Sequence, residues 1–117
     1  MSNRDTILEH FYAGATKNIK FTFTEQDITD WKLILVVKDG VEDSDPRLLS
    51  ITHTVGDSAA DDALNGILNF TIDSTSSDIP IGRYHYQFIR EIGNSTPRNL
   101  TVIASGRVKV MNRFEEV

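Results

Sequence analysis

The chain is predicted to be all-β, a sandwich or a barrel. Its apolar residues recur at every second position, its turn signals fall at short and even intervals, and no stretch makes a convincing amphipathic helix. The strands can be read in order. Ile19, Phe21 and Phe23 alternate with Lys20, Thr22 and Thr24, which puts one face of a strand in a core. Asp27 to Asp30 reads as a turn. After it, Trp31, Leu33, Leu35 and Val37 form one apolar face while Ile34 and Val36 make the other apolar too, the pattern of a central strand. The acidic stretch Lys38 to Pro46, with its D-G dipeptide and proline, reads as a turn or exposed loop.

Leu49, Ile51, His53 and Val55 alternate with Ser50, Thr52 and Thr54, and the small, acidic segment Gly56 to Asn65 reads as a solvent-facing loop. Gly66 then opens a strand whose buried set is Leu68, Phe70 and Ile72. Asp73 to Gly82 reads as a crossing segment, with Pro80 unable to donate to a ladder and Gly82 free to turn left-handed. Tyr84, Tyr86 and Phe88 make the core face of the next strand. Gly93 to Pro97 reads as a hairpin connection. The last run, Leu100 to Met111, alternates with an expected bulge at Ser105-Gly106. The expected core anchors are thus Phe21, Phe23, Trp31, Phe70, Tyr84, Tyr86 and Phe88, on about seven strands, with allowance for a short one around Ile7 to Tyr12.

Composition limits what this domain can do. A chain of 117 residues with 39% hydrophobic and 25% charged residues fits one globular domain. Its net charge of -5 repels a phosphate backbone and an anionic membrane, so neither nucleic acid nor membrane is an expected partner. With no cysteine, thiolate metal sites and a cysteine nucleophile are excluded. The amino terminus lacks the apolar core of a secretory signal, so the sequons at Asn69, Asn94 and Asn99 read as ordinary strand and turn residues.

His10, His53 and His85 are scattered, and no G-x-S-x-G elbow accompanies them, so no catalytic residue is assigned. The acidic clusters Asp39, Glu42, Asp43, Asp45 and Asp57, Asp61, Asp62 lack the spacing of a calcium loop and read as solvated, so no metal or cofactor is expected. Trp31, Tyr84, Tyr86 and Phe88 could form a sugar platform, but their inward phase makes core packing the stronger reading. The termini stand outside this pattern. Ile7, Leu8, Phe11, Tyr12 and Phe114 are apolar residues that the strands do not obviously cover, and they are the expected partner-binding residues. The domain plan is a 1–13 arm or edge strand, a 14–111 sandwich and a 112–117 tail.

The order of punctuating residues carries a resemblance. It runs from Gly14 and the strand Ile19 to Thr24, through Asp27-Ile28-Thr29-Asp30-Trp31 and Val36 to Asp39, to Asn65 through Ile72. It continues through Ile79-Pro80-Ile81-Gly82-Arg83-Tyr84-His85-Tyr86 and Ser105 through Val110. This order resembles a family of small β-sandwich domains of tailed bacteriophages, the amino-terminal domain of upper baseplate proteins and short virion proteins related to it. The resemblance implies an Ig-like antiparallel sandwich. It also implies a non-enzymatic virion component, in the capsid, tail or baseplate, that docks onto other virion proteins through loops, sheet edges and terminal arms. A trimer or dimer is the simplest form of any self-association. A carbohydrate- or receptor-binding module is the alternative expectation.

Overall fold

The computed structural model describes residues 8–40, 46–93 and 96–112. Seven strands are formed over His10–Tyr12 (β1), Lys17–Thr22 (β2), Trp31–Lys38 (β3), Arg47–Thr54 (β4), Ile67–Ile72 (β5), Gly82–Ile92 (β6) and Leu100–Met111 (β7), with a 3-10 turn at Ala63–Asn65. They build one sheet in the order β1-β7-β6-β3-β4 and a second of β2 and β5. Every pairing is antiparallel except that of β1 with β7, which is parallel. This is the Ig-like arrangement, with β4 extending the sheet that holds β3, β6 and β7.

The period-two pattern decides which side of each strand is buried. Phe21, Leu33, Leu35, Val37, Leu68, Phe70, Ile72, Tyr84, Tyr86, Phe88, Val108 and Val110 form one core between the sheets. Its centre is aromatic. Phe88 meets Phe21 and Phe70 edge to face at 5.0 and 5.4 Å, and Phe23 meets Trp31 at 5.2 Å. All the expected anchors belong to this cluster, with Phe23 half-buried at its rim.

Two details hold the ends of the sheets. Tyr84 donates its hydroxyl to the Pro80 carbonyl at 2.6 Å, the tyrosine corner of Ig-type sandwiches, and ties the crossing segment to the start of β6. Gly82 does not use the left-handed freedom expected of it, since its φ is not positive, and a Cβ there would meet the Tyr84 hydroxyl at an ordinary 3.4 Å. Gly66, by contrast, is left-handed at φ +74, and a Cβ on it would fall 2.1 Å from the Phe23 carbonyl oxygen. Only glycine fits there.

The bulge in β7 lies two to three residues before its expected place. Phe88 pairs with Ala104 and Ile89 with Val102, leaving Ile103 as the extra residue, while Ser105 and Gly106 stay in regular register with Gln87 and Tyr86. Because a bulge turns two neighbouring side chains to one side, Ile103 packs on the core beside Ala104. A second irregularity sits where Val37 pairs with Leu49 and Lys38 with Arg47.

Candidate docking face

The sequence makes the amino-terminal segment the expected partner surface, and the structure corrects that expectation for Leu8 and Phe11. Leu8 and Phe11 are 0% and 1% exposed and sit in the domain's own core. β1 brings them there by pairing with the end of β7, Phe11 opposite Val110, and the Leu8 N–H donates to the Tyr86 hydroxyl. Residues 8–13 therefore belong to the sandwich. Tyr12 remains open among the described members of this set, 41% exposed on the edge strand with its ring against His10. Ile7 and Phe114 lie outside the described residues.

The second acidic cluster shapes its own loop. The Asp61 side chain, 1% exposed, accepts backbone N–H groups of Gly56, Ser58 and Asn69, and His53 Nε2 lies 2.7 Å from its Oδ2. An ionised carboxylate only accepts, so this geometry places the proton on Nε2. Burial pushes the Asp61 carboxyl up, but the hydrogen bonds from Asn69, His53 and Gly56 together outweigh it and hold the group below the usual carboxylate range. Asp57 accepts the Thr54 N–H, and Asp62 accepts the Asn65 side-chain amide. Glu42, Asp43 and Asp45 of the first cluster lie outside the described residues. His10, His53 and His85 fall on three different strands, and no group of three or more possible metal ligands occurs among the described residues.

The outer face of the five-stranded sheet is the surface left over. The two-stranded sheet packs on its inner side, and among the described residues no second layer lies on the outer one. Residues paired across strands share a face, so the register gives this surface in rows. Ile34, Ile89 and Val102, with Thr52 at the edge, make a largely apolar row in which Ile34 is buried at 9% and Val102 is 48% exposed. Ser50, Val36, Gln87 and Ser105 make a row of short and neutral side chains. Beyond it come Arg47, Lys38, His85 and Arg107, and then Arg83, Lys109 and His10. A concavity of about 300 Å³ opens where the neutral row dips against the first cationic row, with Val36, Lys38, His85, Gln87, Ser105 and Arg107 in its lining.

The opposite end of this face is neutralised. Arg98 donates two hydrogen bonds to Glu91, at 2.8 and 2.9 Å, which hold the Glu91 carboxyl below its ordinary range. The other end of the face gathers Lys38, Arg47, Arg83, Arg107 and Lys109. It went unread in the sequence because the positions come from five strands. The available signal was local: Arg83 and His85 on the outward phase of β6, and Arg107 and Lys109 on that of β7. Comparison of the chain with family models, with curated proteins and with solved structures finds no match, so the function is argued from this face.

Proposed function

We propose that the chain is a non-enzymatic structural domain of a tailed-bacteriophage virion, which docks onto other virion proteins as a capsid decoration or a tail or baseplate attachment. The observation that carries this reading is the outer face of the five-stranded sheet. A largely apolar row there sits beside a concavity lined partly by Lys38 and Arg107 and beside a cationic end, on a sheet whose core lies on the other side. Such a surface combines an apolar centre with a polar, charged border, which is the anatomy of a protein–protein interface. The order of Gly14, Trp31, Gly66, Gly82 and Gly106 along the chain, which resembles phage sandwich domains, supports the virion as the setting.

The aromatic residues that a sugar platform needs give the alternative no support. Trp31, Tyr84, Tyr86 and Phe88 are at most 8% exposed. The test is direct. Particles purified on a density gradient should contain the chain in a fixed copy number, and an image at side-chain resolution should show its five-stranded sheet face against a neighbour. Particles free of the chain, or particles in which that face meets only solvent, would overturn the reading.

A further inference from the structure

A strand at the border of a sheet leaves every second N–H and C=O without a ladder partner, and such a border accepts another strand unless something blunts it. Among the described residues, four such borders are blunted. On β5 the chain's own loop takes the free groups, since the Asp62 carbonyl accepts the Ile67 N–H and the Asp61 carboxylate accepts that of Asn69. On β2 the exposed Lys20 stands in the middle of the border, and β1 is three residues long. The stretch of β7 that β1 leaves unpaired is broken by the Ile103 bulge and carries Arg107.

β4 is different. It borders only β3, and Leu49 to Thr54 contain no Lys, Arg, Asp, Glu or Pro. The Val55 N–H donates to the Trp31 carbonyl, which fixes the phase of the strand: Leu49, Ile51 and His53 turn their backbone groups toward β3, and Ser50 and Thr52 turn theirs outward. The stretch has defined ends. Leu48 is the extra residue of the irregularity at Val37 and Lys38, and the Thr54 backbone is closed by Asp57, whose N–H donates to the Thr54 carbonyl and whose carboxylate accepts the Thr54 N–H.

We propose that this edge binds the same edge of a second copy of the chain, antiparallel across a two-fold axis at Ile51, so that two five-stranded sheets continue as one. In this register Ser50 stands opposite the partner's Thr52 and exchanges both backbone hydrogen bonds with it, and Thr52 does the same with the partner's Ser50. Ile51 meets its own copy, an apolar pair that covers a side chain half-buried against the core. What selects a copy over a foreign strand is that the edge is its own complement. Arg47 opens the strand, its centre is neutral, and Asp57 follows its end, so the antiparallel direction carries each Arg47 toward the other copy's Asp57 and sets no like charges opposite one another. The dimer is independent of which protein the outer face meets.

The interface is small, so association depends on concentration, and sedimentation equilibrium of the full chain from about 10 to about 500 μM reads it. The mass should rise toward twice that of the monomer, and the Ser50 and Thr52 amides should gain protection from hydrogen exchange over the same range. Ser50→Lys with Thr52→Lys puts like charges opposite one another in both central pairs and should weaken association about tenfold or more. Ser50→Lys with Thr52→Glu makes the same pairs opposite in charge and should restore it. Both positions are exposed, and melting curves of the two variants check that the sandwich is intact. A chain that stays monomeric throughout, a dimer in which the two amides stay unprotected, or equal association of the two variants would overturn the proposal.

Discussion

On β6, Tyr84, Tyr86 and Phe88 turn toward the two-stranded sheet with exposures of 8%, 2% and 0%, while Arg83, His85 and Gln87 turn away from it. The same strand thus serves two surfaces that differ in every physical respect. Inside, aromatic rings meet edge to face, and one missing group leaves a cavity. Outside, the residues stand in cross-strand rows, with Arg83 opposite Lys109 in a like-charge pairing that does not favour the fold and with Ile34 and Val36 buried between the neighbouring strands. The difference teaches where selection for folding ends.

The comparison is broken most severely from the inner side. Deletion of residues 1–13 removes Leu8, Phe11 and the pairing of β1 with β7, and should destabilise the domain by more than about 5 kcal/mol, to the point of unfolding it, as read by circular dichroism. Trp31→Ala comes next. It empties the site between Phe23 and the Arg90 guanidinium, which stands 5.0 Å from the indole centre, and should cost about 3 to 5 kcal/mol in urea unfolding. For Gly66→Ala the expectation is a loss of about 3 kcal/mol, since alanine must be left-handed there and meets the Phe23 carbonyl.

Asp61→Asn should cost about 2 kcal/mol by weakening the hydrogen bonds that order residues 56–61. The same carboxylate sets a pH dependence. Its folded pKa lies below the unfolded value, so its contribution is complete above the ordinary carboxylate range and is lost as pH falls through the lowered folded value. Acid unfolding of Asp61→Asn should accordingly be less steep than that of the parent. On the outer face, Val102→Ser should change stability by no more than about 0.5 kcal/mol, because the side chain is already half exposed.

Much of this was legible in the sequence, for a reason that also marks the limit. Alternation reports the two faces of a strand wherever one face is buried, so Phe70 against Asn69 and Phe88 against Gln87 needed no partner strand to be sorted. Register is a property of pairs. The β7 bulge was expected at Ser105-Gly106 from residue type alone, but it falls at Ile103 because Phe88 and Ile89 choose Ala104 and Val102. Leu8 and Phe11 were expected to seek a partner because β1 is three residues long, too short to show a period, and its strand partner lies at the other end of the chain. The cationic end needed the register of β1, β7, β6, β3 and β4 before its charges could be seen together.

One doubly substituted chain measures both the proposed docking role of the outer face and the dispensability of its exposed cations for folding. With Arg83→Glu and Arg107→Glu introduced together, the free energy of unfolding should stay within about 0.5 kcal/mol of the parent, since both side chains are exposed. The same chain should be missing from gradient-purified particles. Full incorporation into particles would contradict the account, as would a loss of stability large enough to explain the missing chain by unfolding.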